Sequence, residues 1–414
     1  MEGCDGEPDG SPGELTIRRY HRFAAGGSGL LWFEACAVVP EGRANPRQLW
    51  IHAGNVDSYR TLLEGALESG RASNGAEHRP ICLLQLTHSG RYSVPPGGPR
   101  PQVAHHSLYL DPFARGPLEV VSDSELARLE GTYLEAARLA AAAGFDGVDI
   151  KHCHRYLGSE LLASFTRDDS SYGGSFENRT RFLTNIIRKI REELPDLLVA
   201  VRLNVYDAIP YPYGWGMKAE EKSLEPDLTE PIRLARLLRE LGVSVLSVSA
   251  GNPYFNPHIG RPFDLPIEAA YTPDEHPLEG VARLFHLTRE IQQAVPELPC
   301  MGPGYSWLRQ YLGFAGEANL RNGWATFVGV GREAFAHPEY ARELLLEGVM
   351  QKQKVCITCS SCTQLMRDGT VTGCVPRDKT IYSPIFAEGR KKNPGARRMP
   401  RHVGRNLGDS KPHE

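Results

Sequence analysis

Seven short apolar runs alternate with helical patterns along this chain, and this alternation constrains its fold more than any other feature. The runs are almost continuously apolar, as are strands that are covered on both faces of a parallel sheet. Strands that alternate with helices predict repeated βα units. We therefore expect an α/β fold, a TIM (β/α)8 barrel of roughly 250 residues, rather than an open sheet. The predicted strands are Gly29–Val39, Pro80–Thr87, Gly147–Lys151, Leu197–Val205, Val243–Ala250, Leu298–Gly302 and Trp324–Gly331.

Helical patterns lie between these runs. In the clearest of them Ser122 or Ser124 can cap the first turn, and Gly144 ends the apolar periodicity. The predicted helices are Glu14–Ala25, Ser122–Ala143, Asn178–Leu194 and Thr229–Leu241.

Two long segments after predicted strands carry many aromatic residues and prolines, Tyr206–Asp227 and Gly251–Gly280. Loops of this length in a compact domain are usually functional. Their aromatic side chains would either form the wall of a site for a flat substrate or hold the loops in place.

The composition excludes several classes of protein. A formal net charge of −3 does not provide the basic surface that nucleic-acid-binding domains carry. No apolar run approaches the roughly 18 residues of a membrane span, and the acidic start lacks the features of a signal peptide. Nine cysteines, four of them within 19 residues, suit a reducing compartment and a metal site better than a disulfide framework. We expect a cytoplasmic protein that acts on a small molecule, without nucleic-acid or membrane partners.

The third apolar run leads into a dense set of proton-carrying side chains. Gly147–Ile150 is followed at once by Lys151, His152, Cys153, His154 and Tyr156. Such a cluster at the carboxyl end of a parallel strand is what a barrel active site requires. The alternative is a metal-binding or structural His/Cys cluster on a loop.

The residues that come next favour the active site. Phe165-Thr166-Arg167-Asp168-Asp169 is followed by Tyr172-Gly173-Gly174-Ser175, then by Glu177-Asn178-Arg179 and Arg181-Phe182. This order resembles the old yellow enzyme family of FMN-dependent oxidoreductases, in which the fourth strand, a short helix and a YGGS-x-ENR-x-RF segment succeed one another. Phe165 departs from the family, which often has Asn at this place. The resemblance implies FMN as the cofactor and an FMN-binding barrel over residues 1–350.

Glycines end the last two predicted strands, in Gly302-Pro303-Gly304 and Gly329-Val330-Gly331-Arg332. Glycine amides at the ends of strands seven and eight of a barrel can approach a phosphate closely. Glycines end strands in many proteins, and the alternative for Arg332 is an ordinary helix-start residue. Together, however, the two segments match the phosphate site of the resembled family, in which Gly331 and Arg332 would hold the FMN phosphate.

Two polar residues near strand ends complete the flavin site that the resemblance implies. Gln85 matches the glutamine placed against the flavin pyrimidine, where an amide can both donate and accept. Arg202 matches the arginine beside flavin N1 and O2, where a fixed positive charge stabilises the anionic reduced ring. A buried arginine in an apolar strand is otherwise costly unless it is paired.

In the resembled family a tyrosine donates a proton to the alkene carbon next to the one that accepts the hydride, and Tyr156 matches it. His154 matches the second member of the pair that hydrogen-bonds the substrate carbonyl, whereas Lys151 replaces a histidine as the first member. As a compact cation, Lys151 could bind a carboxylate or a carbonyl oxygen, which weakens the case for the usual enone or nitro substrates. The alternatives are that Tyr156 is a packing residue on a helix face and that Lys151 is a solvated lysine.

Four cysteines near the end of the chain form a strong metal-binding pattern. Cys356-x2-Cys359-x2-Cys362 is followed by eleven residues and Cys374, and this spacing suits a 4Fe–4S cluster or zinc. The third alternative is no metal. The pattern resembles the 2,4-dienoyl-CoA reductase and trimethylamine dehydrogenase branch of the family, whose cysteines hold a 4Fe–4S cluster. We expect a cluster segment over residues 351–387 and a disordered tail over 388–414.

One barrel strand is missing from the pattern. In the resembled family a first strand precedes a helix and a Gly-Gly-x-Gly-Leu turn, and here Gly26-Gly27-Ser28-Gly29-Leu30 follows the helix predicted over Glu14–Ala25. We expect that Met1 is an internal methionine of a longer reading frame that encodes the first strand. The alternative is a naturally shortened variant.

The leading hypothesis is an FMN and 4Fe–4S oxidoreductase that reduces an activated C=C bond of the enoate or dienoyl type. One alternative is an amine dehydrogenase, in which the aromatic loops surround a cation. Another is an electron-transfer subunit without a substrate of its own. The resemblance covers Glu14–Ser383, and no Gly-x-Gly-x-x-Gly follows a strand there or beyond. Electrons would therefore come from a separate protein or directly from NAD(P)H.

Overall fold

A curled parallel sheet forms the centre of the structure, a computed structural model that describes residues 3–268 and 270–393. The strands are β1 (Leu30–Ala37), β2 (Ile81–Thr87), β3 (Gln102–Val103), β4 (Glu119–Val120), β5 (Gly147–Ile150), β6 (Leu198–Tyr206), β7 (Val245–Ala250), β8 (Cys300–Gly302) and β9 (Phe327–Val328). Seven of them pair in the order β1-β2-β5-β6-β7-β8-β9, with every pair parallel. β3 and β4 form a small separate sheet.

Helices connect the strands and cover the outer face of the sheet, where they bury one large hydrophobic core. The helices are α1 (Glu14–Ala25), α2 (Val56–Asn74), α3 (Asp123–Ala143), α4 (Leu157–Leu162), α5 (Phe176–Glu193), α6 (Thr229–Glu240), α7 (Pro257–Gly260), α8 (Pro277–Ala294), α9 (Leu312–Arg321), α10 (Arg332–Ala336), α11 (Tyr340–Glu347), α12 (Ser361–Arg367) and α13 (Lys379–Lys392). Short 3-10 helices lie at Pro40–Gly42, Gly90–Tyr92, Asp111–Phe113 and Tyr305–Tyr311.

The predicted α/β barrel architecture is confirmed. Each of the seven predicted runs coincides with a strand of the sheet to within three residues at either end. Helix α1 has the predicted bounds, and Ser122 caps α3 by accepting a hydrogen bond from the Glu125 amide at 3.2 Å. Gly144 ends α3 with a φ of 97°, a left-handed conformation that favours glycine.

The inner face of the sheet changes from apolar to polar along the strands. Near the amino ends, Leu83, Ala200 and Val245 form a small apolar cluster. Because side chains on one face of a strand recur every second residue, Gln85 follows Leu83 and Arg202 follows Ala200 on this same face. The carboxyl ends of parallel strands lie at one edge, so the polar residues of different strands meet there.

The sheet is only partly closed into a barrel. In the part of the chain that the structure describes, no backbone pairing joins β9 to β1. A cavity of about 120 Å3 lies between these edges, lined by residues that include Trp32, Glu34 and Val328. On the free edge of β1 the Glu34 amide donates to the Tyr20 hydroxyl at 2.6 Å. The missing first strand stays a prediction.

The chain after the barrel begins as an ordered segment. Helix α13 extends through residues 388–392, where the sequence suggested the start of a disordered tail; the rest of that tail from residue 394 lies outside the described residues. None of the described helices is both long and apolar enough to cross a membrane.

Candidate active site

A cavity of about 260 Å3 opens at the carboxyl edge of the sheet, and the structure brings nine of the predicted site residues to it. They come from the ends of different strands and from the loops that follow them. The nine are Gln85, Lys151, His154, Tyr156, Arg202, Gly302, Gly304, Gly331 and Arg332. The strand ends and the family resemblance together therefore predicted residues that lie around one cavity, and the roles assigned to them stay predictions.

The floor of this cavity is organised by Asp149, which the sequence did not single out. Its fully buried carboxylate accepts hydrogen bonds from Trp32 Nε1 at 2.7 Å, from the Arg202 amide at 2.6 Å and from Gln85 Nε2. Because the Gln85 amide nitrogen donates to Asp149, its carbonyl oxygen is left as the acceptor for a ligand. Burial raises the pKa of Asp149 to about 6, against hydrogen bonds that lower it. An acidic residue inside an apolar run was the available signal.

The other end of the cavity is suited to an anion. Gly302, Gly304 and Gly331 line it, and Gly304 has a φ of 101°, so the backbone can approach a ligand closely. Arg332 is 7% exposed and donates from Nη2 to the Pro262 carbonyl at 2.7 Å. Its Nη1 is buried without a hydrogen-bond partner among the described residues. A buried, unpartnered guanidinium nitrogen beside glycine amides fits a phosphate.

A strained turn after β5 presents the predicted catalytic residues. His154 and Arg155 both have a positive φ, 65° and 58°, which is uncommon for residues other than glycine. The Arg155 side chain stabilises this turn, because Nη1 donates to Asp207 at 3.0 Å and Nη2 contacts His105 Nε2 at 3.2 Å. The turn places His154 Nε2 at 3.2 Å from the Ser249 hydroxyl.

The two neighbouring positive charges affect His154. Burial is the largest cause of its lowered pKa, followed by the charges of Arg202 and Lys151. The imidazole is therefore neutral near pH 7, so one ring nitrogen donates and the other accepts.

Tyr156 belongs to a small aromatic group that includes Tyr254 from the segment Gly251–Gly280. Its hydroxyl lies 3.1 Å from the hydroxyl of Tyr254, and the Tyr254 ring stacks on Tyr92 with centroids 3.9 Å apart. The ammonium nitrogen of Lys151 lies 3.5 Å from the centre of the Tyr156 ring. Lys151 is 3% exposed, so the alternative of a solvated lysine is wrong. A buried cation beside a phenol stabilises the negative charge that remains after the phenol loses its proton.

The four predicted metal ligands lie around a second, much smaller cavity of about 20 Å3. Cys356, Cys359, Cys362 and Cys374 all line it, and Arg332 lines both this cavity and the larger one. Burial raises the pKa of Cys356 to about 11 and that of Cys374 to about 12. Over residues 3–268 and 270–393, no three His, Cys, Asp or Glu side chains converge closely enough to hold one metal ion.

The family model for NADH:flavin oxidoreductases and NADH oxidases matches residues 4–214, just over half of the chain. The chain belongs to this family. Membership makes it an oxidoreductase and makes FMN its flavin. Arg202 and Gln85 at one end of the large cavity, and Arg332 with the glycine loops at the other, fit the ring and the phosphate of that group.

Individual relatives in the family are reductases, oxidases and dehydrogenases. The chain is 26% identical over 379 residues to a bilirubin reductase of Mediterraneibacter gnavus, covering 90% of this chain and 53% of that protein. It is 29% identical over 359 residues to an NADH oxidase of Thermoanaerobacter brockii, covering 85% of this chain and 48% of that protein. An NADPH dehydrogenase of a Geobacillus strain is 32% identical over 258 residues, 61% of this chain and 66% of that protein. The chain thus spans about half the length of the first two relatives.

Solved structures share the fold. A 2-naphthoyl-CoA reductase complex superposes with a TM-score of 0.67 at 19% identity, covering 93% of this chain and 53% of that one. The old yellow enzyme homologue of Zymomonas mobilis superposes with a TM-score of 0.61 at 21% identity, covering 85% of this chain and 88% of that one. These likenesses confirm the barrel architecture.

Proposed function

We propose that this protein reduces an activated C=C bond of the enoate or dienoyl type. One observation carries the proposal: Tyr156, the candidate proton donor, lines the same cavity as Arg202 and Arg332, each of which has a buried guanidinium nitrogen without a partner among the described residues. When bound, FMN supplies the hydride from its N5. Arg332 and the glycine amides would bind the phosphate, and Arg202 and the Gln85 carbonyl would orient the ring.

Within this proposal the substrate lies against the turn after β5. His154 and Lys151 would hold the oxygen that activates the alkene, and Tyr156 would donate a proton from its hydroxyl to the carbon next to the reduced one. The hydroxyl of Tyr254 at 3.1 Å would keep that of Tyr156 in position. The Tyr254 ring and prolines of the loop after β7 would exclude water from the reacting atoms.

The charge of the cavity favours alkene reduction over amine oxidation. Lys151 and four arginines line it, and a cationic amine would be repelled by them. The alternative of a subunit without a substrate predicts that no small alkene binds. The binding of a saturated substrate analogue, measured by its effect on the flavin spectrum, separates these possibilities.

We propose further that the cysteine segment over residues 351–387 holds a 4Fe–4S cluster, as in the 2,4-dienoyl-CoA reductase and trimethylamine dehydrogenase branch. Four thiols around one cavity, next to Arg332, support this proposal. Positive charge nearby favours the thiolate form that binds metal. Iron and acid-labile sulfide in equal amounts would support the cluster, whereas zinc without iron would contradict it. The same preparations can be used to test whether electrons arrive from NAD(P)H or from a separate protein.

The open edges of the sheet support a further proposal, that an upstream segment of the reading frame adds the first strand of the barrel between β9 and β1. The test compares this chain with a version extended upstream. The extended version should bind FMN more tightly and unfold at a higher temperature.

The cytoplasmic location expected from the composition stays a prediction.

The deciding experiment is the visible spectrum of the purified extended protein and of an Arg332→Gln variant. Flavin absorbance should be present and should follow the protein through gel filtration. Loss of one charge-assisted phosphate contact should weaken FMN binding about tenfold or more. A colourless preparation that takes up no added FMN would overturn the proposal. Arg321→Gln is a matched control, because Arg321 is exposed and pairs along α9 with Glu317.

A further inference from the structure

The large cavity carries more positive charge than its flavin requires. Its lining includes five cations and, among the described residues, no aspartate or glutamate. The five are Lys151, Arg202, Arg261, Arg332 and Arg367. Buried or half-buried charges are costly unless an anion compensates them. The positive charge that bound FMN would not compensate therefore indicates which charge the substrate carries.

The nearest buried acids do not supply the missing charge. Asp149 interacts with Arg202, and Glu333 with Arg332, which are the two arginines proposed to hold the flavin ring and phosphate. Burial raises the pKa of Asp149 to about 6 and that of Glu333 to about 7, so near pH 7 Asp149 is mostly ionised and Glu333 only in part, and each compensates the arginine beside it. Neither acid lines the cavity.

Arg261 lies on the phosphate side of the cavity. Burial, together with the charges of Arg332 and Arg367, lowers its pKa to about 10. It also interacts with the thiols of Cys362 and Cys356, and its Nη1 donates to the Thr363 hydroxyl. Arg261 therefore interacts with both regions, and its positive charge would compensate part of the negative charge of the phosphate and of the thiolates.

Arg367 lies on the substrate side. Its guanidinium carbon is 4.2 Å from the centre of the Tyr254 ring, and Nη2 donates to the Pro253 carbonyl at 3.2 Å. Tyr254 in turn contacts the Tyr156 hydroxyl at 3.1 Å. Lys151 lies over the other ring of this tyrosine pair, 3.5 Å from the centre of the Tyr156 ring. Each ring of the tyrosine pair thus lies against one cation, and Pro253 and Tyr254, which contact Arg367, are neutral.

We propose that Arg367 binds a carboxylate of the alkene substrate, so that the enzyme selects alkenes that carry an acidic side arm. The proposal rests on the function proposed above. Arg367 lies over the Tyr254 ring, and a guanidinium carries a fork of N–H donors that can form two parallel hydrogen bonds to a carboxylate. Arg367 then determines specificity, while Lys151 and His154 hold the oxygen that activates the double bond.

Arg367 would recognise an oxyanion, and two molecules could supply one. These are a substrate with a carboxylate and NAD(P)H with its phosphates. The stacking on Tyr254, which contacts Tyr156, favours the substrate, because this position is next to the proton donor.

The test uses an α,β-unsaturated ketone with a carboxylate side arm and the methyl ester of the same compound. The wild-type protein should prefer the acid, by about tenfold in kcat/KM. In Arg367→Gln the preference should largely vanish, through a higher KM for the acid with a smaller change in kcat. Arg367→Lys should recover part of the preference, because it keeps the charge but loses the two-point contact. Arg321→Gln should behave as the wild type.

Three outcomes would overturn the proposal. The first is equal use of acid and ester by the wild-type protein. The second is an Arg367→Gln variant that keeps the preference for the acid. The third is an increase in the KM for NADPH as large as that for the acid, which would assign Arg367 to the nicotinamide nucleotide.

A binding measurement separates this proposal from the proposed reaction. Isothermal titration calorimetry with the saturated acid measures carboxylate binding without turnover. If no alkene is reduced but the saturated acid binds and Arg367→Gln weakens it about tenfold, the reaction is wrong and the carboxylate site stands. If alkenes are reduced but the saturated acid binds no better than its ester, the reaction stands and the carboxylate site is wrong.

Discussion

Arg155 and Asp207 form an ion pair at 3.0 Å in which both side chains are fully buried. The pair holds the turn between β5 and α4, where His154 and Arg155 adopt left-handed conformations. His154 and Tyr156 on either side of Arg155 line the cavity. A conformation that is unfavourable locally is thus maintained by a contact with a residue at the end of β6.

The first prediction concerns this ion pair. Arg155→Met leaves the Asp207 carboxylate buried without its charge partner, and we expect a loss of about 3–5 kcal/mol in the free energy of unfolding. Urea unfolding measures it. Arg128→Met, which removes an exposed pair with Glu125, is the control and should lose less than about 1 kcal/mol. Equal losses in the two variants would contradict the proposed role of Arg155.

The second prediction concerns the proton donor. Tyr156→Phe removes the hydroxyl, and alkene reduction should slow by about 100- to 10,000-fold because a positioned acid is lost. Reduction of the flavin by NAD(P)H does not use this hydroxyl and should change little. Stopped-flow absorbance follows the two half-reactions separately. Tyr254→Phe removes only the neighbouring hydroxyl and should have a much smaller effect; unchanged half-reactions in Tyr156→Phe would show that the acid is another group.

The third prediction concerns pH and Asp149. Burial raises its pKa from 3.8 to about 6, so between these values the folded protein binds more protons than the unfolded chain. The free energy of unfolding should therefore fall as pH rises from about 4 to 6, by about 3 kcal/mol from this group. Asp149→Asn cannot ionise and should lack this component of the slope. Urea midpoints at several pH values measure it, and an identical slope in both proteins would refute the assignment.

The fourth prediction concerns the cysteines. Cys362→Ser replaces one of the four thiols around the small cavity with a poorer metal ligand. We expect a loss of most bound iron and of the broad visible absorbance of the cluster. Cys82→Ser is the matched control, because Cys82 is buried in β2, away from that cavity. Since Cys362 and Arg367 lie on the same helix α12, the variant should also raise the KM for the acidic substrate.

Local patterns in the chain were enough to predict the framework and much of the site. A short run of apolar residues between helical patterns predicts a buried strand wherever it occurs, so the positions of all seven strands followed from periodicity. The family resemblance assigned Gln85 and Arg202 to one site, and this assignment agrees with the position of both residues near the carboxyl ends of parallel strands. The resemblance to a known family then connected Arg332 and the glycine loops with a phosphate.

Other parts of the site depended on contacts between distant segments. Trp32 and Asp149 lie on strands that are not adjacent in the sheet, and only the curvature of the sheet brings their side chains to 2.7 Å. Arg367 follows the cysteine pattern in the sequence, yet it packs on Tyr254 and reaches the substrate side of the cavity. Periodicity records which side of a strand or helix is buried but does not record which distant segment covers it. The sequence by itself therefore determined the strands, their carboxyl-edge residues and the cysteine motif, whereas the packing of remote loops decided the charge around the proton donor.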